Sequence, residues 1–288
     1  MNVRVFAPAK INLTLKVGRA RADGLHPLQS VVVFADVGDI IGAAHGEALS
    51  LDIGGEFAGQ LDTGGDNLVL RAAHALAQAA NIQPDAAIML EKNLPIASGI
   101  GGGSSDAAAT LRALNQLWML GRTPAQLADI ARSLGADAPV CVSAAPAYMT
   151  GAGDNFVPVH IPPLAAVLIN PLKPLATANV YRQFDAMGLG GELSASEPPR
   201  WRDRADAVAA IAADGNDLEP AARALMPELD VIAALLRADP RVDYAALSGS
   251  GATMFALVAD MEVAAALADD IQAAHTNWWV CDTELAAA

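Results

Sequence analysis

Cysteine is nearly absent: Cys141 and Cys281 are the only two in a chain of 288 residues. Their spacing matches no metal or redox motif, no other metal-ligating pattern is present, and a reduced protein is the simplest reading. Lysine is almost as scarce, with only Lys10, Lys16, Lys92 and Lys173, and the formal net charge is −14. So acidic a chain predicts no nucleic-acid partner and no anionic-membrane partner, since both favour a basic face. Long apolar runs are missing as well. Asp, Arg, Gly or Pro interrupts each one before about 18 residues, so none predicts a membrane span. MNVRVFAPAKINL lacks the continuous apolar core of a signal peptide, and a cytoplasmic protein is expected. What the chain does have is apolar side chain, 53% of residues against 17% charged. That is enough for one large or two medium folded domains.

Alternating apolar positions predict strands over 2–7 and 11–17, broken by Pro8. Further strands are expected over 30–41, about 50–54 and 86–95. A helix is expected over 66–81, capped by Asp66 or Asn67. In 104–118, Ala107, Leu111, Leu114 and Trp118 fall on one helical face, with Ser104 or Ser105 available as cap. Thr123, Pro124 and Gly135 delimit another helix. APVCV (138–142) and AYMTGAGDNFVPV (147–159) suggest strands, as does AAVLINP (165–171). A helix over 176–187 precedes a Pro/Gly-rich loop at 188–206. Helices at 216–225 and 228–239 then lead to YAALSGSGATMFALVAD, a strand, glycine turn and strand. A last helix (261–274) and strand (277–285) close the chain. This order predicts an α+β protein of two domains, 1–155 and 156–288.

One stretch stands out as chemistry. PIASGIGGGSSDAA (95–108) puts glycines between a strand and a helix. Glycine lets backbone N–H groups turn inward, and the helix start adds donors and positive dipole, so the junction suits an anion, above all phosphate. The alternative is a connecting loop without a ligand. The run is neither a Walker A loop, lacking Gly-Lys-Ser/Thr, nor a dinucleotide fingerprint. Lys10, in APAKINL, is either a site residue or a strand-edge lysine reaching solvent. Asp137, in LGADAPV, is either a reactive carboxylate or a turn or cap residue. His26 stands in a loop, and SGSGAT (248–253) is either a tight hairpin or a second anion nest.

Taken together, PAKINL (8–13), ADGLHPLQS (22–30), LPIASGIGGGSSDAA (94–108), LGADAPV (134–140), NDLE (216–219) and LSGSGAT (247–253) resemble the GHMP kinase superfamily, from Pro8 to about Phe255. That resemblance implies an α+β, two-domain GHMP kinase fold with the active site in the cleft between an ATP-binding N-terminal domain and a substrate-side C-terminal domain. PAKINL with DG-x-H and GADAPV points away from homoserine and mevalonate kinases. It points toward the branch of the non-mevalonate isoprenoid pathway. Members of that branch transfer the γ-phosphoryl group of ATP to the 2-hydroxyl of a CDP-linked methylerythritol, so ATP and this small molecule are the implied partners.

The resemblance also assigns residues. Pro95, Ile96, Ala97, Ser98, Gly99, Ile100, Gly101, Gly102, Gly103, Ser104 and Ser105 would wrap the ATP phosphates, with Mg²⁺ helping to neutralise them. Asp137 would take the proton from the attacking hydroxyl, and Lys10 would sit beside it and stabilise charge on the transferred group. Asn67 and Lys92 would flank the adenine, although Lys92 is also readable as a solvated strand-end lysine. His26 would hydrogen-bond the cytosine, Asn12 would lie near the substrate, and Tyr181 would stack on the cytosine face. Leu25 stands where better-known members carry a second stacking tyrosine. SGSGAT would close over the phosphates or the Asp137 loop.

Overall fold

The computed structural model describes residues 3–62, 64 and 66–286. Asn2, the first residue of the expected N-terminal strand, lies outside them. In chain order the elements are β1 (Val3–Asn12), β2 (Lys16–Val17), β3 (Leu28–Ala44), β4 (Ser50–Gly54), α1 (Leu68–Ala80), β5 (Ala87–Glu91), α2 (Gly102–Leu117), α3 (Pro124–Ala131), α4 (Ala138–Ser143), β6 (Ala147–Thr150) and β7 (Asn155–Pro158). They continue as β8 (Leu164–Asn170), α5 (Thr177–Ala186), α6 (Arg204–Asp214), α7 (Glu219–Leu225), α8 (Glu228–Ala238), β9 (Val242–Leu247), β10 (Met254–Val258), α9 (Met261–Ala274) and β11 (Trp279–Leu285). No helix among the described residues is long and apolar enough to cross a membrane.

Contacts group the chain into two compact units built from interleaved segments. One holds residues up to Lys10, Val37–Ile96 and Gly101–Ala144; the other holds Ile11–Asp36, Ala97–Ile100 and the chain from Ala145 onward. The sequence-based division at 155 cut the chain into two consecutive pieces, whereas here the first strand and the glycine run each contribute to both units.

In the first unit, β5 pairs antiparallel with β3, from Ile40 opposite Glu91 to Ala44 opposite Ala87, and parallel with β4. α2 packs against α1, α3 and α4. Ile41, Leu76, Leu90, Leu94, Leu111 and Leu114 are fully buried in this unit. Local chemistry explains the helix starts. Asn67 caps α1 by accepting from the Val69 N–H, and Thr123 and Gln126 form a reciprocal capping box on α3, followed by Pro124 in its first turn.

Three local expectations are corrected here. Pro8 does not break the strand, because β1 runs through it. Among the described residues β1 pairs only with β3, and an edge strand tolerates a proline whose missing N–H faces away from the ladder. APVCV forms the short helix α4 and not a strand. All five of its residues are buried, so apolar periodicity could not separate the two, and Pro139 suits a first helical turn. α2 begins from Gly101 without a side-chain cap, so Ser104 and Ser105 lie inside its first turns.

In the second unit, β8 pairs antiparallel with β10 and β11, and β10 pairs with β9. All seven residues of β8 are buried, which accounts for its unbroken apolar run. Val167, Ile169, Phe184, Leu229, Ile232, Leu247, Met254 and Leu267 share one core cluster. α6 occupies residues that the sequence reading left unassigned or placed in a loop.

Candidate active site

β1 carries Lys10 into the interior, and the turn before α4 carries Asp137. Their charged ends meet, with Lys10 Nζ 3.2 Å from Asp137 Oδ2. The pair is asymmetric: the Lys10 side chain is 3% exposed and that of Asp137 42%. Lys10 is therefore not a strand-edge lysine reaching solvent. Asp137 stands at the N-cap position of α4 but makes no side-chain cap bond, so its carboxylate is left to Lys10 and to whatever approaches from its open side. A buried ammonium beside an accessible carboxylate can bind a negatively charged group at one end and accept a proton at the other.

The glycine run passes close by. Gly101 has φ of +65°, and a Cβ there would lie 3.1 Å from Cβ and Cε of Lys10. Glycine is needed at this position both for the left-handed backbone and for room beside the lysine stem. Gly102 and Gly103 open α2, whose first N–H groups have no partner within the helix.

Lys92 is neither solvated nor at a free strand end. It is 3% exposed, and its Nζ lies 2.6 Å from Asp39 Oδ2 and 2.7 Å from Asp106 Oδ2. Burial alone would push the lysine down, but the two carboxylates outweigh it and hold its pKa above the ordinary value. Asn67 is engaged as the cap of α1 and donates to Asp62 O. Cys141 is buried beneath this region, and burial pushes its thiol up to about 12. That makes it a poor nucleophile. Both cysteines are free.

In the second unit, residues 97–100 of the glycine run are fastened by the other glycine turn. Ser248 Oγ donates to Gly99 O, and the Thr253 N–H donates to Ser98 O. Gly99 has φ of +77°, and a Cβ there would come within 2.5 Å of Gly251 O. SGSGAT is thus a turn packed onto residues 98 and 99 of the glycine run. Asn12 is buried; its N–H donates to Ser248 Oγ and its side-chain amide to Ser30 Oγ.

A separate cluster in this unit centres on His26. Its Nδ1–H donates to Gly18 O at 2.9 Å, and its Nε2 lies 3.4 Å from Asp185 Oδ2. Tyr181 packs on the ring at a centroid distance of 4.9 Å, and Phe184 meets it edge-on at 5.9 Å. The structure therefore places His26 and Tyr181 in ring contact. Leu25 points outward and is 51% exposed.

Residues 67–145 match the family described as GHMP kinases N terminal domain, and residues 197–277 match GHMP kinases C terminal. A 4-diphosphocytidyl-2-C-methyl-D-erythritol kinase of Parvibaculum lavamentivorans is 47% identical over 277 residues, covering 95% of each chain. The chain belongs to the GHMP kinases. A crystal structure of 4-(cytidine 5'-diphospho)-2C-methyl-D-erythritol kinase superposes with a TM-score of 0.78 at 31% identity, covering 99% of this chain and 100% of that one. A homoserine kinase from Cytophaga hutchinsonii gives a TM-score of 0.70 at 18% identity, over 98% of this chain and 94% of that chain, a likeness of fold alone.

As a GHMP kinase, the protein is an enzyme that uses ATP as co-substrate. Sequence reasoning did not single out Asp39, Phe184 or Asp185, and it included Asp106 and Ser248 only as members of the two glycine motifs. Asp39 left one signal, a carboxylate inside the apolar strand VGDII. Phe184 and Asp185 carried none.

Proposed function

We propose that this GHMP kinase transfers the γ-phosphoryl group of ATP to the 2-hydroxyl of 4-diphosphocytidyl-2-C-methyl-D-erythritol, an isoprenoid-pathway step, by direct displacement. The observation that carries the chemistry is the Lys10–Asp137 pair, a buried ammonium 3.2 Å from a half-open carboxylate, beside the glycine run. The acceptor is supported by relatives of that name at 47% identity over nearly the whole chain.

The substrate hydroxyl attacks the γ-phosphorus, the bond to the β-phosphate oxygen breaks, the hydroxyl proton passes to Asp137 and ADP leaves. Lys10 faces the charge that develops on the transferred group. Residues 95–105 hold the phosphates through backbone N–H groups and the start of α2. His26 and Tyr181 offer the cytosine a hydrogen-bonding ring nitrogen and an aromatic face, and Asn12 and Asn67 flank substrate and adenine.

Mg²⁺ carried on a triphosphate needs only one or two protein oxygens. Ser105 Oγ, buried at the start of α2 without a hydrogen-bond partner, fits that need. The ion would neutralise phosphate charge there.

ADP release from MgATP should be measured with the CDP-linked alcohol, homoserine and mevalonate as acceptors. Turnover with the CDP-linked alcohol alone is expected. Preference for homoserine or mevalonate would overturn the acceptor, and no acceptor-dependent ADP release would overturn the kinase reading itself.

A further inference from the structure

NDLE (216–219) is a motif that neither the transfer chemistry nor acceptor binding uses. It lies between α6 and α7, and its backbone is laced to Leu15, just before β2. The Leu15 N–H donates to Gly215 O and the Asp217 N–H donates to Leu15 O, both at 2.8 Å. From there the side chains diverge. Asp217 turns to β2, where its carboxylate accepts from the Val17 N–H at 2.9 Å and from Lys16 Nζ at 2.7 Å. Leu218 enters the core. Asn216 and Glu219 turn instead to the glycine motif at 247–253.

Asn216 Nδ2 donates to Leu247 O and to Gly249 O, each at 2.8 Å. Both amide hydrogens are thus taken by the carbonyls on either side of Ser248. Asn216 Oδ1 accepts from the Leu218 N–H at 2.9 Å, which fixes which end of the amide faces the turn. Glu219 Oε2 adds a bond from the Leu247 N–H at 3.1 Å.

Ser248, held in this way, donates its hydroxyl to Gly99 O at 3.2 Å and accepts from the Asn12 N–H at 3.2 Å. The Thr253 N–H donates to Ser98 O at 3.0 Å. Thr253 has its own support, since its Oγ1 accepts from Asn170 Nδ2 at 2.8 Å. Two successive carbonyls of the glycine run, Ser98 and Gly99, therefore face the turn. Their peptide bonds are trans, and in a trans peptide the C=O and the following N–H point opposite ways. The N–H groups of Gly99 and Ile100 accordingly face away from the turn, on one side of the loop. Adjacent N–H groups presented together in this way make a nest for an anion.

We propose that Asn216 is a positioning residue of the phosphate loop. By bridging Leu247 O and Gly249 O it sets Ser248, and through Ser248 it sets the direction of the Gly99 and Ile100 donors. This rests on the reading of the glycine run as the triphosphate site. Without the bridge the backbone at 247–249 relaxes, the Gly99 carbonyl is released and the two donors lose their common direction. Affinity for ATP then falls.

The test is a double-mutant cycle read by calorimetric titration of the full chain with MgATP. Asn216→Asp keeps the acceptor for the Leu218 N–H and loses both donors, so it separates the bridge from the local turn. Affinity should fall by about tenfold in the wild-type background. In Ser248→Ala, where the link to Gly99 O is already gone, the same change should cost about twofold or less. Asp217→Asn is the control from the same motif. Its bonds lead to β2, so the thermal midpoint should drop while ATP affinity stays as in the wild type.

Wild-type affinity in Asn216→Asp, an equal loss in both backgrounds, or a loss as large in Asp217→Asn overturns the proposal and leaves the kinase reading intact. Ser248→Ala by itself should also weaken ATP binding. Unchanged affinity there overturns the proposal even if Asn216→Asp does not fold. No MgATP binding by the wild type overturns the phosphate reading of the glycine run, and this proposal with it.

Discussion

Two lysines in this kinase are equally buried, each 3% exposed, and each contacts a carboxylate. Their partners differ. Asp137 beside Lys10 is 42% exposed, whereas Asp39 and Asp106 around Lys92 are 0% and 4% exposed. An ammonium with an open partner can share that partner with a substrate. An ammonium enclosed by two shut carboxylates can only hold protein to protein. Burial of a charge therefore does not by itself mark a reacting group; the accessibility of its counter-ion does.

The largest effects should separate the pairs by readout. Asp137→Asn keeps the shape of the side chain and removes the base, so kcat should fall by about 10²–10⁴, with ATP affinity and thermal midpoint little changed. Lys10→Ala should lower kcat comparably. Initial-rate kinetics and nucleotide titration check both, and substantial residual turnover in either variant would remove it from the transfer step. Lys92→Ala inverts the pattern: two desolvated carboxylates lose their common partner, at a cost of about 3–5 kcal/mol in stability. Chemical denaturation measures this. If Lys92→Ala were stable but inactive, the triad would belong to the chemistry and the contrast would fail.

Gly101 joins the open pair to the phosphate loop, and Gly101→Ala probes that junction. Its φ of +65° costs an alanine backbone strain, and the added Cβ would press on the Lys10 stem at 3.1 Å. A stability loss of about 1–3 kcal/mol is expected, together with a fall in kcat as Lys10 shifts from Asp137. A stability loss with kcat untouched would mean that the lysine re-forms its pair elsewhere.

How much of this was legible in the sequence depended on how far apart the cooperating residues lie. Caps act over two or three positions, so Thr123 and Pro124 could be picked out directly and Asn67 as one of two candidates beside Asp66. β8 was visible because it is buried on every side. The same uniform burial hid α4 inside APVCV, since a short stretch buried throughout has no periodicity to display. The sites were harder. Asp39 and Asp106 lie 53 and 14 positions from Lys92, and nothing local in EKNLP says which acids will meet its lysine. Lys10 and Asp137 were singled out together only through the resemblance to GHMP kinases, because convergence of a strand and a distant turn is a property of topology. Phe184 and Asp185 went unnoticed beside Tyr181, since one helical turn of α5 presents all three and only the fold shows which of them His26 meets.

The smallest effect tests whether the contrast is local. Thr123 lies outside both charged clusters, yet α3, which it caps, packs on α4, the helix that follows Asp137. Its Oγ accepts from the Gln126 N–H at 3.3 Å, and Gln126 Oε1 accepts from the Thr123 N–H at 2.9 Å. Thr123→Ala removes the first of these bonds and leaves a helix-start N–H to water, at a cost of about 1 kcal/mol. If the Lys10–Asp137 geometry is held by its own contacts, kcat should match the wild type while the denaturation midpoint drops. A fall in kcat with so small a loss of stability would mean that fraying of α3 reaches Asp137 through α4, making the open carboxylate depend on a distant cap.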